Sequence, residues 1–332
     1  MKLWMSGAVA ALSLAGAAQA ADAGYHVIDK IPGPDGGWDY VRVDARTNQV
    51  LLPRGTSVEA IDIASKKVTT GLVPGGRQHV AMPVNDGREI LVTNGATDSA
   101  IFADPLTGAV IATVPVGKGP DAAAVDPKSG LAFVMAHVGG DVTFIDTKSH
   151  KAVGAVVAVG GALEEGAADG AGRAFVNIES KNEIAVIDVA ARTVTAHWPL
   201  TGCDGPTGLA YDPQDKLLIA ACDGTTAIVS AASGKVVQTL PTGKGADGAV
   251  YDAKHRLAFV PAGRAGTLSV IGFAKGEAKI LQTVPTELGA RTLAVDERSG
   301  RVYLPTAQYV VPAGGGRPTT VPGTFHVLVV GP

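Results

Sequence analysis

The sequence lacks the motifs of several large functional classes. It contains no Gly-x-Ser-x-Gly elbow for a serine nucleophile and no phosphate-binding glycine loop followed by Lys and Ser or Thr. Its two cysteines form neither a Cys-x-x-Cys redox motif nor the Cys-x-x-Cys-His motif of c-type haem attachment. These absences argue against nucleophilic catalysis and exclude covalently attached c-type haem.

Charged residues and long apolar runs are also scarce. Charged residues make up 18% of the chain, and without Lys2 the sequence has 27 basic and 31 acidic residues, a net charge of −4. No basic run of the kind that binds a phosphate backbone is present, so we expect no nucleic-acid partner. After residue 20 no apolar stretch reaches the length of a membrane span, so we expect no transmembrane segment. We also expect a monomer.

The N-terminus has the order of a secretory signal peptide. Met1-Lys2 precedes an apolar run from Leu3 to Ala18, and Ala18-Gln19-Ala20 is a small-residue cleavage site. We therefore predict a signal peptide over residues 1–20, a mature chain that begins near Ala21, and a periplasmic or secreted protein.

An internal repeat with a period of about 42 residues runs along the rest of the chain. One acidic or related residue closes the third strand of successive units, and an Asp or Asn follows the first strand. The third-strand markers are Asp62, Asp104, Asp146, Asp188 and Ser230, and the first-turn markers are Asp44, Asn85, Asp126, Asp169, Asp212, Asp252 and Asp296. Seven first-turn markers predict seven units.

Each unit has the pattern of a four-stranded propeller blade. Short apolar strands alternate with tight turns such as Asp126-Pro127-Lys128-Ser129-Gly130, and no unit shows a helical period. We predict an all-β fold, a single seven-bladed β-propeller over residues 21–332. The seventh unit lacks its own fourth strand, and we predict that Tyr25 to Ile31 completes it, which closes the ring and removes a free sheet edge.

Blade two carries the clearest copy of the repeat: Ile90-Leu91-Val92-Thr93-Asn94, then Ser99-Ala100-Ile101-Phe102-Ala103-Asp104 and Thr107-Gly108-Ala109-Val110. This motif resembles the repeat of the YVTN family of bacterial propellers, which includes the YncE-like periplasmic proteins. The resemblance covers essentially the whole mature chain, although blade six, with Gly272 at the position of the Asp, and blade seven depart from it. It implies a propeller fold but no particular activity, because this fold supports many unrelated functions.

One face of the predicted ring carries the candidate site. The connections before the first strand and after the second strand of every blade share a face, and the opposite face has tight turns only. The predicted ligand-binding funnel consists of Trp38, Asp39, Arg54, Arg77, His79, Asp121, His137, Glu165, Asp247, Arg264 and Arg291. The long connection from Gln308 to Thr324 falls on the same face, where we expect a lid, a binding loop or a disordered segment.

Some residues of this face have side chains suited to metal binding or acid–base chemistry. The candidate metal ligands are His79, Asp121, His137, Glu164 and Asp247, and the candidate catalytic residues are Glu164, Glu165 and His79. A neighbouring acid can raise the pKa of Glu164 or Glu165 enough for general acid catalysis. The alternative, which we favour, is a pair of solvated acids that face Arg77 or Arg291.

The two cysteines are predicted to form a disulfide. Cys203 lies in the connection that enters blade five, and Cys222 lies in the connection after the second strand of that blade, with 18 residues between them. Both connections belong to the same face, and cysteines so placed pair in an oxidising compartment. A redox-active role is the disfavoured alternative.

Two functional hypotheses remain open. The first, which the lack of catalytic motifs favours, is a binding or interaction propeller whose funnel takes a small polar ligand or a partner protein. The second is a metal-dependent enzyme of the lactonase or lyase type, in which a divalent metal polarises a carbonyl or activates water. The second hypothesis requires a divalent metal as its cofactor, and the first requires none. A third hypothesis, a partner of a redox system, rests on likeness to the propeller subunits of amine and quinoprotein dehydrogenases alone.

Overall fold

In the described part of the chain, seven antiparallel sheets are arranged as the blades of a ring. The computed structural model describes residues 24–310 and 318–332, so the predicted signal peptide lies outside the described residues. The first strand of each blade contacts the first strand of the next, and that of blade 7 contacts that of blade 1. The predicted all-β, seven-bladed propeller is confirmed. Among the described residues, no helix is long and apolar enough to cross a membrane.

The strands of blades 1 to 6 follow chain order from the channel outward. Blade 1 consists of Arg42–Asp44, Gln49–Pro53, Gly55–Asp62 and Val68–Thr69, with Pro74–Gln78 also paired to its third strand. Blade 2 consists of Ala81–Val84, Glu89–Asn94, Ser99–Ala103 and Val110–Pro115. Blade 3 consists of Pro120–Val125, Leu131–Ala136, Asp141–Asp146 and an outer strand in two pieces, Lys151–Ala152 and Val157–Ala158.

The remaining blades follow the same plan. Blade 4 consists of Leu163–Ala168, Arg173–Ile178, Glu183–Asp188 and Thr193–Pro199, with a short 3-10 helix at Glu179–Lys181. Blade 5 consists of Leu209–Asp212, Leu217–Ala221, Thr225–Ser230 and Val236–Pro241. Blade 6 consists of Val250–Asp252, Leu257–Ala262, Thr267–Ala274 and Glu277–Pro285. Blade 7 consists of Ala294–Asp296, Arg301–Thr306, His326–Gly331 and, from the other end of the chain, His26–Pro32.

Pairing of the two chain ends closes the ring. His26–Pro32 lies antiparallel to His326–Gly331 and forms the outer strand of blade 7. The strand begins one residue later than predicted, because the backbone of Tyr25 bonds instead to the Gln282 side chain of blade 6. The predicted closure is confirmed. The N-terminal strand covers the edge of His326–Gly331 that would otherwise be free.

Local turn chemistry explains why the repeat markers recur. The carboxylate of Asp104 accepts hydrogen bonds from the backbone N–H groups of Leu106 and Thr107. Asp126 accepts from the backbone and the hydroxyl of Ser129 in the same way. These bonds close tight turns in which a short carboxylate replaces a backbone partner. The markers are therefore structural, as the bland chemistry of that face predicts.

The core lies between neighbouring blades. A middle strand such as Leu131–Ala136 is almost wholly buried, whereas the outer strand Thr193–Pro199 alternates between exposed and half-buried residues. The difference arises because middle strands are covered on both faces by adjacent blades. Close to the channel the packing is tight enough to require glycine: a Cβ at Gly208 would lie 2.2 Å from the carbonyl carbon of Gly248.

Candidate functional site

The channel mouth is formed by the starts of the innermost strands. Asp39 lies just before blade 1, while Asp121, Glu164 and Glu165 lie within the first strands of blades 3 and 4 rather than before them. In both strands the register shifts across these residues. A bulge of this kind re-aims side chains, and it is the local reason that three carboxylates face the mouth instead of alternating along a regular strand.

Asp39, His79 and Asp121, from blades 1, 2 and 3, form a triad. The Nδ1 atom of His79 lies 2.7 Å from Oδ2 of Asp39 and 3.1 Å from Oδ1 of Asp121. One ligand atom of each of the three residues lies within 4.8 Å of the other two. Burial lowers the pKa of His79, but the Asp39 hydrogen bond and the charges of both carboxylates outweigh it, so the pKa is raised. Burial, with the charges of Glu164 and Asp39, raises the pKa of Asp121 to about 8.

A second group of possible ligands lies at blades 3 and 4. Nδ1 of His137 is 2.9 Å from Oε1 of Glu164, and one ligand atom each of His137, Glu164 and Glu179 lies within 4.8 Å of the others. The hydrogen bond to Glu164 raises the pKa of His137 to about 9, against the opposing effect of burial. Glu179 belongs to the short 3-10 helix. It is not predictable from the sequence, because the residue follows a strand end with no motif around it.

Two side-chain bonds cross the central channel. The Tyr40 hydroxyl donates to Oε2 of Glu164 at 2.8 Å, and Nη2 of Arg42 lies 2.6 Å from Oε1 of Glu165. The Glu165 carboxylate also accepts a hydrogen bond from the backbone N–H of Leu209 in blade 5. Blades 1 and 4 are not neighbours in a ring of seven, so both bonds span the channel.

The expectation of two solvated acids facing Arg77 or Arg291 is therefore wrong. Glu164 and Glu165 are only 8% and 4% exposed. Burial raises the pKa of Glu165, and Arg42 opposes that effect. Tyr40 and Arg42 carry no sequence signal of this role, because partners on opposite sides of a channel have no fixed sequence spacing.

Asp247 and Arg291 complete the mouth from blades 6 and 7. Nε of Arg291 lies 2.8 Å from Oδ2 of Asp247, and Nη2 donates to the carbonyl of Trp38 at 2.8 Å. The guanidinium also lies over the Trp38 ring, 5.6 Å from its centroid. Burial and the charge of Asp39 raise the pKa of Asp247 to about 7. Carboxylates from four different blades thus act on one another electrostatically.

Of the other predicted funnel residues, Arg54 and Arg264 lie apart from this cluster and Arg77 lies beside it. Arg54 is buried, with its guanidinium 3.6 Å from the centroid of the Phe325 ring and donating to the carbonyl of Pro34. Arg264 is largely exposed and pairs with Asp223 at 2.6 Å. Arg77 lines a cleft of about 200 Å³ together with Trp38 and His79.

The disulfide and the long connection also lie where the chain order indicates. Cys203 and Cys222 are bonded to each other and buried, which confirms the predicted pairing. Within the connection from Gln308 to Thr324, Tyr309–Val310 pairs with Thr319–Thr320, and residues 311–317 lie outside the described part of the chain.

Comparison with known proteins identifies the fold alone. No protein-family model and no curated protein sequence matches the chain. The solved structure of the RRP9 WD40 repeats matches with a TM-score of 0.73 and 10% identity over 94% of this chain and 99% of that chain. Hydrazine synthase of Kuenenia stuttgartiensis matches with a TM-score of 0.68 and 16% identity, over 90% and 98%. A chain of the mitotic checkpoint complex gives 0.70 and 11%, over 92% and 94%. Identities this low establish a shared propeller and no shared activity.

Proposed function

We propose that the chain is a YVTN-like periplasmic binding propeller that holds a divalent metal ion at its channel mouth through Asp39, His79 and Asp121. The observation that carries the proposal is the convergence of these three side chains from three separate blades. A propeller ring is consistent with a binding role, and the mouth is where its loops meet. The metal would form the floor of a site for a small polar ligand.

The spacing of the donor atoms suits a metal. Two adjacent ligands of an octahedral ion with bonds of about 2.1 Å lie about 3.0 Å apart. The Nδ1 atom of His79 lies 2.7 Å from the nearer carboxylate oxygen of Asp39 and 3.1 Å from that of Asp121. One imidazole with two carboxylates is a donor set for zinc, manganese or iron rather than for soft copper(I).

The surrounding charge also favours a cation. Burial is the main cause of the raised pKa values of Asp121 and Asp247, and the charge of Asp39 raises both further. Such shifts reflect carboxylates whose negative charge is incompletely neutralised in a partly buried site. A divalent ion bound among them would relieve this repulsion and bring the pKa of Asp121 down.

Elemental analysis tests the proposal. Mature protein purified without a histidine tag is reconstituted with Zn²⁺, Mn²⁺ or Fe²⁺, dialysed against metal-free buffer and measured by plasma mass spectrometry. We expect one equivalent in the wild type and in His197→Gln, a matched control on an outer strand, and loss of the metal in His79→Gln and Asp121→Asn. Wild-type protein that retains none of these metals would contradict the proposal.

Metal-dependent hydrolysis of a lactone or ester is the second candidate function. The hydrogen-bonded pair of His137 and Glu164 favours it, because an imidazole with a pKa of about 9 is protonated at neutral pH and can donate a proton to a leaving group. A lactone and ester screen with metal-loaded protein distinguishes the two. An enzyme predicts turnover that His137→Gln abolishes without loss of the triad metal, and a binding propeller predicts no turnover.

A further inference from the structure

We propose that the cleft beside the triad binds the carboxylate of a small ligand, with Arg77 as its anchoring cation. The inference deepens the proposed function and rests on it, because it names the class of ligand. The cleft has a volume of about 200 Å³, and its lining includes Trp38, Asp39, Gly55, Arg77, Gln78 and His79. Asp39 and His79 belong to the triad as well, so a ligand in the cleft touches the triad at one end.

Arg77 differs from the other arginines of this face. Arg42, Arg264 and Arg291 each pair with a carboxylate, and Arg54 stacks on Phe325. Among residues 24–310 and 318–332, no carboxylate pairs with Arg77. Arg77 and His79 line the same cleft. The cleft therefore carries an unneutralised cation next to the triad.

The backbone holds Arg77 in place. Its φ of 51° lies in the left-handed region, which is uncommon for a residue other than glycine. The carbonyl of Arg77 accepts a hydrogen bond from the N–H of Gly95 at 3.1 Å. Eleven other non-glycine residues among those described share this conformation, so it fixes the backbone at Arg77 without itself marking a ligand site, and the side chain remains exposed.

Two buried side chains of the cleft wall have unused hydrogen-bonding atoms. The indole Nε1–H of Trp38 and the Oε1 atom of Gln78 have no hydrogen-bond partner among the described residues. Trp38 is 7% exposed and Gln78 is 2% exposed. Most buried polar atoms in proteins are satisfied, and a ligand in the cleft would satisfy this donor and this acceptor only if the two side chains turned toward it.

The guanidinium of Arg77 and the triad together suit a ligand that carries a carboxylate and a second polar group. A planar guanidinium binds a carboxylate through two parallel hydrogen bonds. At the other end the cleft reaches Asp39 and His79 of the triad, where the proposed metal ion would take a hydroxyl or amine group of the same ligand. A small 2-hydroxy or 2-amino carboxylate meets both conditions: its carboxylate faces Arg77 and its hydroxyl or amine faces the triad.

Calorimetric titration tests this assignment. The probes are lactate and glycine, with ethanolamine as the matched compound that lacks a carboxylate, and the protein is the metal-loaded wild type. We expect lactate or glycine to bind and ethanolamine to bind at least tenfold more weakly. Arg77→Gln is expected to weaken carboxylate binding at least tenfold, with Arg77→Lys intermediate because it keeps the charge and loses the paired geometry. Arg88→Gln, an exposed arginine of the opposite face, is expected to bind as the wild type does.

The metal content of each variant separates the two proposals. Arg77→Gln that retains the metal and loses the carboxylate supports both. Arg77→Gln that binds the carboxylate as tightly as the wild type, or a wild type that binds neither carboxylate, overturns the assignment of the cleft and leaves the metal site standing. Wild-type protein without metal overturns the metal site, and carboxylate binding that still depends on Arg77 would then support the cleft alone.

Discussion

The bond between Arg42 and Glu165 across the channel gives the most direct test of how the mouth is held together. The two side chains are 20% and 6% exposed, and Glu165 also accepts hydrogen bonds from the backbone N–H groups of Leu209 and Ala249. Arg42→Met removes the cation and leaves a buried carboxylate with backbone hydrogen bonds alone. Removal of one partner of a buried pair costs about 3–5 kcal/mol, and the partial exposure of Arg42 places this case near about 3 kcal/mol.

That cost converts into a measurable change in melting temperature. With an unfolding entropy of about 2.1 cal/mol/K per residue and roughly 300 residues, about 3 kcal/mol lowers Tm by about 5 °C. Glu165→Gln should cost less, about 1 kcal/mol, because the amide carries no charge and still accepts the Leu209 bond. The double variant should therefore be destabilised by less than the sum of the single variants.

Differential scanning calorimetry at pH 7 is the assay, with Arg88→Met as the control. Arg88 pairs with Asp86 on the exposed opposite face, so its loss should change the free energy of unfolding by less than about 0.5 kcal/mol. An Arg42→Met variant that melts within 1 °C of the control, or single variants whose effects simply add, would show that the pair does not hold the channel together.

Three further predictions concern pH, the disulfide and the ring closure. Since the pKa of Asp247 is about 7 in the folded protein and about 3.9 when unfolded, the folded state binds more protons in between. Metal-free protein should therefore lose stability from pH 5 to 7.5 in calorimetry, and Asp247→Asn should reduce that loss; a rising Tm would contradict this. Replacing Cys203 and Cys222 by Ala should cost about 3 kcal/mol in urea unfolding, and dithiothreitol should destabilise the wild type alone. Deletion of residues 24–32 should expose the His326–Gly331 edge and produce oligomers in size-exclusion chromatography, whereas an unchanged monomer would refute its role.

The fold was predictable because its signals are local. Asp104 and Asp126 represent the two series of markers that repeat once per blade. Each closes its own turn through hydrogen bonds to residues no more than three positions away. Counting such turns gives the number of blades, and a missing fourth strand in the last unit leaves His26–Pro32 as the one strand available to complete it. No long-range contact has to be known for either step.

The residues that reach the candidate site were predictable from the sequence, but the partners to which their side chains bond were not. Strand direction alone assigns Asp39, His79 and Asp121 to one face, and the three do meet. The partners of Glu165 were out of reach, because its bond to Arg42 depends on the width of the channel and on the bulge that turns the side chain inward. The contact of Arg54 with Phe325 was out of reach for a similar reason, because that ring comes from the opposite end of the chain.

The bonds across the channel also bear on the metal site. Asp39 is followed at once by Tyr40 and, three residues on, by Arg42, and both of these bond to blade 4. The segment that supplies the first ligand of the triad is therefore fixed by contacts on the far side of the channel.

Arg42→Met should for this reason weaken metal binding as well as lower Tm, although Arg42 is no ligand. Loss of the disulfide should lower Tm to a similar extent and leave metal affinity unchanged, because blade 5 contributes no residue to the triad. Equal effects of the two changes on metal affinity would mean that general loosening of the ring, and not the fixed position of Asp39, controls the site.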